Sequence, residues 1–323
     1  MRRVLLALGA LATMAAFPEL KAQGNYPSKP MRWIVPYAAG GGVDVIARPL
    51  ALKLADVLGQ PIVYENRGGG GGLIAAEFVA RSTADGYTLL VAAGNTQVFA
   101  TLLNDKIGYD PVKDFAPITK FDTTPNVLVS HPAFPPRNIQ ELVAHGKANP
   151  GSINWASSGN GAGSHLSLIL FAQQAGIKVI HVPYKGGGPA TTAVLAGESD
   201  LVLTATAIVL PQIKSGKLRA LGFAGSKRLV TLPDVPTIDE SGFPGFDSSN
   251  FRGLMAPAGT AQSIITRLHG ELAKIIHSPE TVTRMTASGS IPVGNTPQQF
   301  AEENRREVAI WSKIIRENNI KVD

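Results

Sequence analysis

The chain has 323 residues, with 30 Lys and Arg against 24 Asp and Glu and no cysteine. The lack of cysteine excludes disulfides, thiolate nucleophiles and cysteine-ligated metals, and the scattered cations exclude the dense basic patch of a nucleic-acid-binding protein. This length predicts two domains or one large α/β unit.

The N-terminus has the form of a secretory signal peptide. Arg2 and Arg3 precede an uncharged apolar stretch, residues 4–17, which is short against the roughly 20 residues that span a bilayer. We predict cleavage after Ala22, which makes residues 1–22 the signal peptide and the mature chain periplasmic. No later segment offers about 18 uninterrupted apolar residues.

Strands, glycine-rich turns and helices alternate in the first third of the mature chain. Pro49 should kink or restart the first of these helices. The alternation predicts a parallel sheet with helices on both faces. The predicted strands are 31–37, 61–65 and 88–93, and the predicted helices are 44–58 and 73–82.

The same pattern restarts at Asn126 and ends in a segment rich in proline and glycine, residues 232–257. That segment predicts an extended return path rather than a regular helix. The predicted strands are 127–130, 153–156, 179–182, 200–204 and 218–223, and the predicted helices are 139–148, 164–175, 189–196, 209–215, 264–277 and 300–317.

Two such series predict an α/β protein with two doubly wound lobes and a cleft between them. The first lobe would comprise residues 23–124 and 248–323, and the second lobe residues 125–247. Two crossings of the chain would then join the lobes and act as a hinge.

Four glycine-rich turns follow predicted strands, at residues 40–42, 68–72, 157–163 and 186–188. Glycine lets the backbone approach a ligand closely. A helix that begins just after such a turn presents unpaired N–H groups to an anion. One such turn is an ordinary strand-to-helix connection, but several in two lobes favour an anion site at the lobe interface.

The motifs of the common enzyme classes are missing. The six histidines form no H-E-x-x-H pair, so no metal site is expected, and neither a G-x-S-x-G elbow nor a dinucleotide or P-loop pattern is present. We therefore expect no cofactor and no enzymatic activity. A secreted α/β hydrolase remains an alternative, with Ser158 or Ser164 as nucleophile and His165 as base.

From Tyr26 to Lys321 the chain resembles the solute-binding receptors of tripartite tricarboxylate transporters, the Bug-type receptors. The resemblance rests on ordered segments rather than on one motif. These are VPYAAGGGVD (35–44), ENRGGGGG (65–72), ADGYTLL (84–90), YDPVKDFAPIT (109–119), ASSGNGAGSHL (156–166), HVPYKGGGPA (181–190), IKSGKLRALG (213–222), LPDVPT (232–237) and GLMAPAGT (253–260).

The resemblance implies a fold like that of the type II periplasmic binding proteins. It also implies a receptor that closes around a small organic acid and delivers it to the large and small subunits of a membrane permease. An alternative is a ligand sensor, in which the same closed form signals to a membrane kinase. A monomer and no nucleic-acid partner are expected.

The same resemblance places the ligand carboxylate between the first glycine loop and the loop that opens the first long helix of the second lobe. Backbone amides and ordered waters would hold it. The expected first-lobe residues are Tyr37, Ala38, Ala39, Gly40, Gly41, Asp44, Gly94, Asn95 and Thr96. The expected second-lobe residues are Ser157, Ser158, Gly159, Gly161, Gly163, Ser164, Lys185, Gly186, Thr204 and Thr206.

Some positions depart from the pattern of the family. Ala38-Ala39 replace a common Pro-Pro pair, and Gly42-Val43 replace a small residue and a hydroxyl residue. The 204–206 stretch carries no carboxylate where amino-acid-binding relatives can place one. These differences predict a ligand without an ammonium group, such as a di- or tricarboxylate or an aromatic acid.

Overall fold

The computed structural model describes residues 26–37, 39, 42–69, 72–104 and 107–318, and of residues 42, 95 and 100 only the backbone. The signal peptide predicted at residues 1–22 lies outside these residues. The strands are β1 (Met31–Val35), β2 (Ile62–Asn66), β3 (Thr88–Ala93), β4 (Phe115–Thr124), β5 (Asn126–Ser130), β6 (Ile153–Ser157), β7 (Val179–Pro183), β8 (Leu201–Ala205), β9 (Arg219–Ala224), β10 (Asn250–Pro257) and β11 (Ile291–Pro292).

The helices surround these strands, and a π-helical turn, Asn95–Phe99, follows β3 directly. The α-helices are α1 (Gly42–Leu58), α2 (Leu73–Ala80), α3 (Ala100–Leu102), α4 (Ile139–Ala148), α5 (Gly163–Ala175), α6 (Gly187–Leu195), α7 (Thr206–Lys214), α8 (Gln262–Ile276), α9 (Pro279–Ala287) and α10 (Pro297–Glu317).

The first sheet has the strand order β11-β4-β10-β3-β1-β2. Strand β1 pairs in parallel with β2 and β3, whereas β10 runs antiparallel to β3 and β4. Alternate residues of β1 point to opposite faces, as in any strand. Trp33 packs with α1 and α8 on one face, while Ile34 packs with α2 and Phe300 of α10 on the other.

The second sheet has the order β7-β6-β8-β5-β9. Strands β6, β7 and β8 are parallel, and β5 runs antiparallel to β8 and β9. Trp155 of β6 packs with α4 and α5 on one face, and Ala156 packs with α6 and α7 on the other. Both sheets are therefore covered on two faces, and the predicted α/β fold with two doubly wound units is confirmed.

The chain passes between the sheets twice, at Pro125 and along residues 225–249. Asn126 ties the two passages together, because its side-chain amide donates to the Ser248 carbonyl at 2.7 Å. A separate apolar cluster, which includes Phe99, Leu166 and Trp311, links the π-helical turn, α5 and α10. The residue bounds predicted for the lobes stay a prediction.

The parallel pairing predicted for the first third of the mature chain is present in β1, β2 and β3. Both complete sheets are nevertheless mixed, because β4, β5, β10 and β11 run antiparallel to their neighbours. Strand β4 had no predicted counterpart, and β10 lies inside the segment predicted as an extended return path. Helix α1 also runs through Pro49 without restarting. The other predicted elements are present, with ends displaced by a few residues.

Candidate ligand-binding site

The predicted site residues that the structure describes lie at the carboxyl ends of parallel strands in both sheets. In the first sheet β1 and β3 end side by side, and in the second sheet β6, β7 and β8 do so. Ligands of α/β sheets bind at this edge, where the loops lead into helix N-termini. Ala38, Gly40 and Gly41 of the first loop lie outside the described residues.

Asp44, in the first turn of α1, anchors the first loop to β2. Its carboxylate is buried and accepts hydrogen bonds from the Tyr64 hydroxyl, the Asn66 side-chain amide and the Arg48 guanidinium, each at 3.1 Å. Asn66 also donates to the Tyr37 carbonyl at 2.9 Å. Burial and the Asp44 carboxylate raise the pKa of Tyr64, so that the phenol remains a donor. The structure thus places Asp44 as a support of the loop, and its contact with a ligand stays a prediction.

In the segment after β3, the Thr96 side chain points into the protein. Thr96 is fully buried, and its hydroxyl donates to the Ala93 carbonyl at 2.9 Å. A Cβ added at Gly94 would come within 3.1 Å of the Asn250 side-chain oxygen, so Gly94 lies where β10 enters the sheet. Of Asn95 only the backbone is described. Ala39 is exposed in the first loop.

Three serines brace the loop between β6 and α5. The Ser158 amide donates to the Ser164 hydroxyl at 2.9 Å, and the two hydroxyl oxygens lie 2.7 Å apart. The Gly159 amide donates to the buried Ser157 hydroxyl at 3.1 Å. These side chains fold the loop upon itself and occupy two of its amides.

The remaining amides of this loop divide into bound and free donors. Gly161 donates to Nδ1 of His165 at 3.1 Å. The amides of Asn160, Gly163 and Ser164 have no acceptor among the described residues. Asn160 is exposed, and the other two are partly exposed at the start of α5. Free N–H groups at a helix N-terminus, reinforced by the helix dipole, are a suitable partner for a carboxylate.

The turn after β7 lies directly against this loop. The Gly186 amide donates to the Ser158 carbonyl at 3.1 Å, and Lys185 is exposed beside it. A Cβ added at Gly187 would be 3.0 Å from the Thr204 hydroxyl. The N-termini of α5, α6 and α7 therefore come together at one edge of the second sheet.

Thr206 serves the connection between the sheets. It is fully buried, and its hydroxyl donates to the Pro125 carbonyl at 2.7 Å. Gly163 lies against the π-helical turn that follows β3, since a Cβ there would be 2.9 Å from the ring of Phe99. The structure thus brings the π-helical turn and the 157–164 loop together.

Two residues that contact the 157–164 loop were not predicted from the sequence. His181 of β7 lies 2.6 Å from the Ser157 hydroxyl through Nε2, and Phe99 covers the start of α5. Burial and the neighbouring His165 lower the pKa of His181 to about 4. In the sequence, only the position of His181 shortly before the 186–188 turn pointed to a role near the site. Its contact with Ser157 depends on the register of β6 and β7.

The described contacts do not form the catalytic pair of the hydrolase alternative. Ser164 bonds to Ser158, whereas Nδ1 of His165 accepts from a backbone amide. The hydroxyl that meets an imidazole belongs to Ser157, which is fully buried. Among the described residues no cluster of His, Asp and Glu could hold a metal ion, and none of the helices there is long and apolar enough to cross a membrane.

One cavity of about 430 Å³ lies beside the passages between the sheets, lined in part by Lys120, Lys227 and Glu307. None of the predicted site residues that the structure describes lines it. The cavity therefore lies apart from the described part of the predicted site.

The comparisons with known proteins agree with this architecture. The family model described as the tripartite tricarboxylate transporter family receptor matches residues 46–320. The periplasmic binding protein BugD is 34% identical with a TM-score of 0.73, and the match covers 92% of this chain and 99% of BugD.

Two further solved structures contain organic acids. R. palustris Rpa4515 with adipate is 30% identical with a TM-score of 0.77, over 92% of this chain and 99% of that one. MatC from Rhodopseudomonas palustris, with bound malate, is 32% identical with a TM-score of 0.72, over 90% of this chain and 100% of that one.

Proposed function

The chain belongs to the tripartite tricarboxylate transporter receptor family, and from that premise we propose that it is a periplasmic receptor for an organic carboxylate. It would hold the acid between its two lobes and deliver it to the large and small subunits of a membrane permease. This family consists of solute-binding receptors rather than enzymes.

The observation that carries the proposal is the set of free backbone donors in the 157–164 loop and at the start of α5. Asn160, Gly163 and Ser164 offer three amides without acceptors among the described residues. Each hydrogen bond to a charged group contributes about 1.5–3 kcal/mol. Three such bonds are of the size that micromolar binding requires, about 8 kcal/mol.

We propose a di- or tricarboxylate without an ammonium group as the ligand. Adipate and malate, the acids in two of the similar structures, both fit this description. Thr204 and Thr206 supply no carboxylate for an ammonium group. We expect the exposed Lys185, next to Gly186 against the 157–164 loop, to attract a second carboxylate.

A screen of organic acids by thermal shift tests this proposal on mature protein that has been unfolded and refolded to remove bound ligand. An acid at about 100 times its Kd raises the free energy of unfolding by about 2.7 kcal/mol, a shift of a few degrees. We expect adipate, malate or a related acid to stabilise the protein. Tighter binding of aspartate or glutamate than of every other acid would contradict the ligand class.

A pair of substitutions at Gly163 isolates the contribution of one amide. Gly163→Pro removes the N–H at the first position of α5, where proline is compatible with the helix, and the extended Ala162 suits a following proline. Gly163→Ala adds the same Cβ next to Phe99 but keeps the N–H.

We expect Gly163→Pro to weaken binding of the acid identified in the screen by about 10- to 150-fold relative to Gly163→Ala, the loss of one hydrogen bond to a charged group. Isothermal titration calorimetry measures the difference. Equal affinities of the two variants would show that the carboxylate does not use this amide.

A further inference from the structure

Two histidine rings stack beneath the 157–164 loop. His165 lies on the first turn of α5 and His181 on β7, and their ring centroids are 3.8 Å apart with the planes inclined by only 6°. Both side chains are partly buried. The pair therefore lies between the 157–164 loop and β7.

Each ring holds a different part of the loop. Nδ1 of His165 accepts the Gly161 amide at 3.1 Å, and Nε2 of His181 lies 2.6 Å from the Ser157 hydroxyl. That hydroxyl in turn accepts the Gly159 amide. The histidines thus fix Gly161 directly and Gly159 through one serine.

These contacts require an uncharged His165. An imidazole nitrogen accepts a hydrogen bond only when it carries no proton, and imidazolium has no acceptor. The bond from Gly161 therefore places the ring proton of His165 on Nε2. Protonation at Nδ1 would set two N–H donors against each other and break the bond.

The surroundings also oppose charge on either ring. Burial lowers the pKa of His165, and burial together with His165 lowers the pKa of His181 to about 4. The facing groups from β6 and the loop, Ser157 and Gly161, are uncharged. His165 is the titratable group whose charge also acts on His181.

We propose that His165 and His181 are positioning residues for the 157–164 loop, and that the loop keeps its ligand-binding shape only while His165 is uncharged, so that acidification releases the ligand. The ligand part of this inference rests on the proposed function. Because Gly159 and Gly161 are tied down by the pair, the free amides of Asn160, Gly163 and Ser164 keep a fixed arrangement.

A titration of the ligand-free protein tests the positioning role without any ligand. Nuclear magnetic resonance of protein with 15N-labelled histidine and glycine follows the ring nitrogens and the Gly161 amide from pH 8 to pH 3, below the lowered pKa of His181. We expect an unprotonated Nδ1 on His165 at pH 7, and a Gly161 amide that shifts and loses protection from exchange as the rings gain protons. A proton on Nδ1 at pH 7, or a Gly161 amide indifferent to the titration, would overturn the proposal.

Two substitutions of His165 separate its acceptor from its bulk. Asparagine can place an oxygen near the position of Nδ1 but does not titrate, whereas phenylalanine keeps a ring for stacking and has no acceptor. We expect His165→Asn to retain protection of Gly161 at pH 7 and to reduce the acid-induced change. His165→Phe should lose that protection and weaken adipate or malate binding about tenfold or more.

The exposed His277 provides the control, since His277→Phe should change neither readout. Equal protection of Gly161 in His165→Phe and the unaltered protein would refute the positioning role. Failure of the unaltered protein to bind any organic acid would instead refute the proposed function and the acid-release part, while the amide measurements would still decide whether the pair positions the loop.

Discussion

At the start of α1 the buried carboxylate of Asp44 receives hydrogen bonds from Tyr64, Asn66 and Arg48. A carboxylate satisfied by three donors is not an attractive neighbour for an anionic ligand, but it fixes the helix N-terminus that the first loop enters. The negative charge also suits the first turn of a helix. Asp44, at the end of the first loop, therefore serves to hold the backbone of that loop.

We predict that Asp44→Ala lowers the free energy of unfolding by about 2 kcal/mol, because Tyr64 loses its acceptor and Asn66 and Arg48 each lose one of their acceptors. Urea denaturation measures the change. The matched control is Asp56→Ala on the same helix, an exposed position where we expect a change within about 0.5 kcal/mol. Equal effects of the two substitutions would contradict the anchoring role of Asp44.

Helix α10 is fixed to the first sheet by apolar and ionic contacts together. A capping box formed by Thr296 and Gln299 begins the helix, and Phe300 enters the core. Lys120 of β4, almost fully buried, lies 2.7 Å from the Glu303 carboxylate and 3.8 Å from that of Glu307. The two glutamates share one lysine but differ in their closeness to it.

The environment of Glu307, farther from Lys120 than Glu303 is, predicts that the stability of the protein depends on pH. Burial raises the pKa of Glu307 from 4.5 to about 7, with Lys120 opposing the shift. The folded state then keeps a proton that the unfolded chain releases, so this carboxyl's contribution to stability is full below pH 4.5 and is lost as the pH rises through 7.

We therefore expect Glu307→Gln to raise the free energy of unfolding at pH 8 by about 1 kcal/mol and to have little effect at pH 4.5, since partial exposure screens the charge. Glu303→Gln, which removes the nearer partner of Lys120, should lower it at pH 8. Urea denaturation at the two pH values measures both effects. A Glu307→Gln protein that is less stable at pH 8 would contradict the assignment.

The two passages between the sheets determine how the parts of the whole molecule are joined. Thr206 bonds to Pro125, and Asn126 bonds to Ser248. Gly225 lies against the same place, since a Cβ there would be 2.8 Å from Cβ of Pro125. The passages are therefore packed together, and movement of one sheet relative to the other must act through them.

We predict that Gly225→Ala lowers the free energy of unfolding by about 1–3 kcal/mol, because overpacking forces the passages apart. It should also reduce the compaction that an organic acid induces, as measured by small-angle X-ray scattering. Gly270→Ala on α8, with open space around it, is the control and should be neutral or stabilising. Unaltered stability and compaction in Gly225→Ala would show that the packing at Pro125 limits neither the stability of the protein nor its closure around the acid.

Much of the fold was predictable because apolar strands and glycine turns are local signals. Helix α4 and strand β3 occur at their predicted residues. Strand β4, however, contains Lys120 and Asp122 among its buried residues, and local pattern does not predict a buried strand with charges. Arg252 of β10 supplies the partner of Asp122 from 130 residues away, so only the assembled sheet makes that strand stable.

The sequence by itself determined the glycine turns, their order along the chain and the resemblance to a receptor family, since these depend on adjacent residues. Only the tertiary structure decided which loop amides remain free, that His181 meets Ser157, and that Thr206 supports Pro125. The physical reason is that hydrogen bonds are made between neighbours in space. The loop at Ser157 and the ring of His181 become neighbours only through the pairing of β6 with β7.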